Sequence, residues 1–171
     1  GPDGEKLLYV TDEPGEEAFR VIDGWGRGEP ETVKKPREGL GQYPPRWSPD
    51  GEWIAWGDSE YRLMVGKAGG GSEREVDRGD FVEISDYVWS PDGRWLAYVK
   101  MDGNQFPSVF LYDTQEKATH RVTGASTQDH SPAWDPDGRY LYFVSARATN
   151  PLLGNTDWNN VEAKNEMLYL A

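Results

Sequence analysis

The chain has 171 residues, a net charge of −12, 36% hydrophobic residues and 13% aromatic ones, eight of them tryptophan. So acidic a surface repels phosphate backbones and argues against nucleic acid as a partner. The lack of cysteine removes disulfides, thiolate zinc sites and cysteine nucleophiles, and no run reaches the ~18 apolar residues of a membrane span.

Twenty glycines and twelve prolines make the chain turn often, which favours an all-β reading. The first unit opens with PDGEKLLYV at 2–10, a turn and a strand. Residues 19–23 and 32–33 continue it as a third and an outer strand. In the second unit, RWSPDGEWIAW at 46–56 supplies an inner strand at 46–48, a turn and a second strand. Residues 62–65 and 74–76 follow, separated by the glycine loop 69–71. The third unit repeats the pattern in VWSPDGRWLAYV at 88–99, with an inner strand at 87–90 and later strands at 109–113 and 119–123. The fourth has AWDPDGRYLYFV at 133–144, an inner strand at 133–135, a long insertion at 146–166 and a last strand at 167–170. No segment shows sustained helical periodicity.

The equivalent prolines are Pro2, Pro49, Pro91 and Pro136, spaced by 47, 42 and 45 residues. A period near 45 residues fits one four-stranded antiparallel propeller blade. The whole chain, 1–171, then forms one propeller segment, with blades at about 2–35, 43–78, 85–123 and 131–171. These carry three, four, four and three strands, or about three and a half blades. Open blade faces expose apolar surface and unpaired edges. The expectation is therefore a segment cut from a larger ring, a small four-bladed ring, or a ring completed between copies.

The motif has a physical reading. In Ser48-Pro49-Asp50-Gly51, proline presets φ at the second turn position, aspartate suits the third and glycine accepts the positive φ that follows. The same holds for Pro91-Asp92-Gly93 and Pro136-Asp137-Gly138. A serine or aspartate at the first position can bond the turn backbone. Trp47, Trp89 and Trp134 stand before the turns. Leu7, Ile54, Leu96 and Leu141 share one position after them, and Tyr9, Trp56, Tyr98 and Phe143 another, two residues on. Period-two alternation puts both positions on one face, where rings fill the gap between blades.

The repeat WSPDG-x-W-(I/L)-A resembles the propeller repeats of TolB, of prolyl-oligopeptidase relatives and of tricorn-type peptidases. Residues 85–171, with YLYFVSARATNP as the telling run, resemble the last blades of the second tricorn propeller. The resemblance implies a non-catalytic propeller that filters or guides peptides beside a peptidase core, and a cytoplasmic setting. A TolB-like interaction module and a stand-alone hydrolase are the competing readings. Peptides or a protein partner are the implied ligands, a homo-oligomer through open blade edges is a further option, and no cofactor is implied.

Three residues stand out as contact candidates. Trp25 and Trp158 fall outside the repeat, and His130 lies where the chain enters the inner strand of the fourth blade. Asp129-His130-Ser131 has the residue types of a hydrolase triad, but neighbours on an extended strand point to opposite faces, so the three are not expected to align. The turn aspartates Asp3, Asp50, Asp92 and Asp137 invite a calcium reading, yet each motif offers too few oxygen ligands at alternating positions. Lys34-Lys35-Pro36-Arg37 reads as a solvated patch between blades, and His120 as solvent-facing on an outer strand. Gly24-Trp25-Gly26-Arg27-Gly28 lacks the strand-to-helix context of a phosphate loop.

Overall fold

The computed structural model describes residues 1–13, 15–35, 38–147, 151–153, 160–162 and 166–171. Among these residues there are strands and turns and no helix. The first blade holds β1 (Lys6–Thr11), β2 (Ala18–Asp23) and β3 (Glu31–Lys34). The second holds β4 (Arg46–Trp47), β5 (Trp53–Gly57), β6 (Arg62–Lys67) and β7 (Arg74–Arg78). The third holds β8 (Tyr87–Trp89), β9 (Trp95–Met101), β10 (Pro107–Asp113) and β11 (Ala118–Arg121). In the fourth, β12 (Asp129–Trp134) and β13 (Leu141–Ser145) precede a hairpin of β14 (Pro151–Leu153) and β15 (Asn160–Glu162), and β16 (Met167–Leu170) completes the blade. The blades thus carry the three, four, four and three strands expected. The hairpin departs from the expectation of a plain loop; its strands are too short to show an alternating pattern.

The cores lie between blades, as the strand phase requires. Ile54 and Trp56 point back to the first blade and meet Phe19, Leu8 and Val10. Ala55, Leu63 and Val65, on the opposite face, meet Leu96, Tyr98 and Tyr112 of the third blade. Ala97 and Val109 meet Leu141 and Phe143 of the fourth. Each fully buried side chain of this size contributes roughly 1.5–3 kcal/mol. Leu7 occupies the same position as Ile54 but is half exposed, because no described blade lies before it. Leu168 and Leu170 are exposed on the far side of the fourth blade for the corresponding reason.

The turns form a second repeating contact. The glycine N–H closes each one: Gly51 to the Ser48 carbonyl at 2.9 Å, Gly93 to Ser90 at 2.9 Å and Gly138 to Asp135 at 2.9 Å. All three have φ near 70° (71°, 71° and 69°), where a side chain is strained. The first-position side chains accept from residues beyond the turn, Trp53 N–H to Ser48 Oγ at 2.9 Å and Tyr140 N–H to Asp135 Oδ1 at 2.7 Å. Asp50 and Asp92 accept the N–H two residues on, at 2.9 and 3.1 Å. Their carboxylates therefore serve the turn. A Cβ on Gly51 would meet Pro2 at 3.6 Å, one on Gly93 would meet Asp50 at 3.6 Å, and one on Gly138 would meet Pro91 at 3.4 Å. The turns thus stack from blade to blade. Gly93→Ala is expected to cost about 1–2 kcal/mol through its left-handed backbone. A urea midpoint unchanged from wild type would show that the turn adapts.

Each of the last three blades also buries one aspartate against an arginine. Asp58 pairs with Arg62 at 2.7 Å, Asp113 with Arg94 at 2.6 Å and Asp129 with Arg147 at 3.2 Å. The Arg94 hydrogen bond, helped by the N–H groups of Gln115 and Glu116, holds the Asp113 pKa down at about 2. At Asp129 burial opposes ionisation, but hydrogen bonds from Ser145, Thr127, Thr123 and Arg147 outweigh it and keep the pKa low. A carboxyl with a depressed folded pKa stabilises the fold above its unfolded value, about 4, and loses that contribution as pH falls through the folded value. The melting temperature should therefore drop steadily between about pH 4 and about pH 2. A flat profile across that window would contradict the pairing.

Lys34 corrects the reading of a solvated basic patch. Its ammonium lies 2.7 Å from Glu73 of the second blade and 5.0 Å from the centre of the Trp56 ring. Lys35 is exposed as expected, while Pro36 and Arg37 lie outside the described residues. His120 is exposed, with its ring 6.0 Å from that of Trp95.

Candidate functional site

Antiparallel blades have two distinct ends. The SPDG turns and the loops from third to outer strand lie at one end. The links between blades and the loops from second to third strand lie at the other. The three contact candidates do not come together. Trp25, after β2, stands at the turn end, and His130, at the start of β12, at the link end. Trp158 lies outside the described residues, in an insertion that leaves and rejoins the fourth blade at the link end.

Trp25 is 81% exposed, and its backbone N–H is tied to Asp23 at 2.9 Å. It borders a cavity of about 660 Å³ whose other walls include Asp3, Glu5, Lys6, Asp23, Glu29 and Glu31. Five carboxylates against the one Lys6 leave the wall net negative beside the aromatic face, a setting that attracts cations.

His130 and Ser131 share a side where an ordinary strand would part them, and Asp129 does not join them. The pairing of β12 with β13 is irregular between His130 and Ala133, and Ser131 sits at φ 54°. This bulge turns the Ser131 hydroxyl to the same side as the imidazole, 3.0 Å from Nδ1. Glu166 stands 3.6 Å from Nε2. Asp129 is turned inward and fully buried against Thr127 and Arg147. Serine, histidine and a carboxylate thus do meet, with Glu166 in place of Asp129. The Ser131 N–H, which an oxyanion at this serine could otherwise use, is given to the Asp86 carboxylate at 2.9 Å. A developing negative charge there would face Asp86 rather than a donor.

The inner strands β4, β8 and β12 carry the repeat tryptophans, and the Trp89 indole N–H reaches the Arg46 carbonyl of the preceding blade at 3.2 Å. Beside them lies a groove of about 550 Å³ lined by Arg46, Trp47, Asp86, Val88 and Trp89 among others. The groove ends near Asp86, next to the His130 cluster. With that geometry in view, residues 1–171 match the model of the tricorn protease second β-propeller domain.

The chain belongs to that family.

It is 34% identical over 104 residues to a tricorn protease homolog of Saccharolobus solfataricus, covering 61% of this chain and 10% of the relative. It is 30% identical over 153 residues to tricorn protease homolog 1 of Streptomyces coelicolor, covering 88% of this chain and 14% of the relative. The chain therefore spans a small part of these relatives. The crystal structure of the tricorn protease superposes with a TM-score of 0.85 at 17% identity, over 97% of this chain and 16% of that one. TolB from Acinetobacter baumannii gives a TM-score of 0.62 at 20% identity, over 95% and 42%. At these identities the likeness is one of fold.

In this tricorn propeller segment, the link end also carries side chains that the repeat analysis passed over. Tyr61, Phe81, Val82 and Phe106 are exposed there. The available signal was the stretch GDFVEISD at 79–86, where apolar residues interrupt a run of acids outside the repeat.

Proposed function

We propose that this tricorn propeller segment acts by binding polypeptide at its link end and channel-side groove, and performs no chemistry on it. The observation that carries the reading is the His130 cluster. It adjoins Asp86 of the groove wall, offers hydrogen-bonding and anionic groups, and has its Ser131 N–H taken by the Asp86 carboxylate. The family supports peptides as the ligand class, held beside a peptidase core that other parts of a tricorn-type protein supply. The same reading puts a further blade on each uncovered face, at Leu7 and at Leu168 and Leu170. Where a second copy supplies that blade, light scattering reads a multiple of 19.3 kDa; a strict monomer removes self-association from the reading.

Equilibrium dialysis of a mixed peptide pool against the purified chain tests the proposal. Retention of a subset of peptides at unchanged mass is expected. Cleavage that Ser131→Ala abolishes would make the chain a hydrolase and overturn the reading. Retention of none would remove peptide binding, and capture of folded proteins alone would favour a TolB-like interaction module.

A further inference from the structure

The link between the second and third blades is held hard against the second. Ile84 is buried, and a Cβ on Gly57 would lie 2.6 Å from the Ile84 carbonyl oxygen. Within the link itself, a Cβ on Gly79 would run into the Val82 carbonyl oxygen. Backbones so close leave the link no room to shift. The side chains it turns outward are therefore displayed from a fixed frame. Among them Phe81 is 59% exposed and Val82 39%. Tyr61 lies beside Gly79, its carbonyl accepting the Gly79 N–H at 2.8 Å. On the other side Val82, Val99, Met101 and Pro107 line a hollow of about 250 Å³ rimmed by Glu83 and Asp86. Together these groups form an apolar strip across the link end of two blades. A contiguous exposed strip of this kind marks an interaction site more often than chance.

The charges around the strip are one-sided. Three nearby cations are already paired, Arg62 with Asp58 at 2.7 Å, Arg78 with Glu75 at 2.9 Å and Lys100 with Asp77 at 2.8 Å, while Arg46 lines the groove on the Asp86 side. Among the described residues Asp80 and Glu83 have no ion pair or hydrogen bond, and the Asp86 carboxylate accepts from the Ser131 N–H. The Glu83 charge is felt at Tyr43, whose pKa is raised first by burial and then by Glu83. The strip thus offers apolar surface with unpaired negative charge at Asp80 and Glu83, on a chain that already carries −12.

We propose that this strip docks polypeptide segments carrying large apolar side chains next to lysine or arginine. The inference rests on the peptide-binding reading above and names the class of peptide. Burial of the apolar side chains over Phe81, Val82 and the hollow would supply affinity, and the acidic rim would select the flanking cations and speed encounter.

Fluorescence anisotropy with the purified chain tests this. The probe is a short fluorescein-labelled peptide of serine and glycine that carries phenylalanines flanked by lysines. Two controls replace its lysines by glutamates or its phenylalanines by serines. The probe should bind more tightly than either control. Phe81→Ser together with Val82→Ser should weaken it by roughly tenfold or more. Asp80→Asn together with Glu83→Gln should weaken it about fivefold at low salt, with the difference closing at high salt. All four positions are solvent-facing, and matching thermal melts would confirm intact folding. If the probe binds but neither double variant changes its affinity, or if the glutamate control binds equally well, the docking strip is wrong while peptide binding stands. If no peptide binds at all, both fall.

Discussion

Replacing Trp56 by alanine is expected to lower the unfolding free energy by about 3–5 kcal/mol, the range for truncating a large buried aromatic. The ring is 1% exposed and joins two blades rather than filling one. Phe19 of the first blade meets it edge-on, with centroids 5.5 Å apart. The Lys34 ammonium stands 5.0 Å from its centre. Beneath it Gly66 leaves the necessary space, since a Cβ there would lie 3.1 Å from the indole. Few atoms around the site can move inward, so most of the vacated volume would stay empty and the cost should fall in the upper part of the range. Chemical denaturation followed by circular dichroism reads this directly. A loss below about 1 kcal/mol would show that the first two blades are not packed through this ring.

Tyr98 is the equivalent residue one blade on, and its two functions can be separated. Its ring is fully buried and stacks on Phe110 with centroids 5.6 Å apart. Its hydroxyl donates to Asp77 of the second blade at 2.7 Å, a carboxylate that Lys100 also contacts at 2.8 Å. Burial, and next the Asp77 carboxylate, raise the phenol pKa, so it remains a donor at all working pH values. Tyr98→Phe should cost about 1.5–3 kcal/mol, the worth of a hydrogen bond to a charged group. Tyr98→Ala should cost at least about 3–5 kcal/mol, because the ring volume is lost as well. If the two variants were equally destabilised, the hydroxyl would carry the whole effect and the packing account of this interface would fail.

The blades were legible because their signal repeats. Pro49, Pro91 and Pro136 fix the turns, and the Ile54 and Trp56 positions fix which face is buried. Each blade thus confirms the register of the next. The acidic turns were legible for the same reason, since Asp50 and Asp92 have a local partner within two residues. The His130 cluster was not legible. It depends on a bulge of a single residue, with Ser131 at φ 54°, and the one available signal in DHSPAW was Pro132, which cannot donate to a ladder and sits inside the irregular stretch. Its carboxylate comes from Glu166, 36 residues on, across the longest insertion. Lys34 was misread because its partner, Glu73, belongs to the neighbouring blade. Contacts within a repeat can be read from one motif; contacts between blades need the stacking.

Hydrogen exchange of the purified chain, with and without a mixed peptide pool, tests the central claim most directly, with the peptides weighed in the same run. The account predicts slowed exchange in 79–86 and 129–131, none in the turns around Gly93 and Gly138, and peptides recovered at their starting masses. Protection confined to the turn end around Trp25, or peptides recovered as fragments, would contradict it.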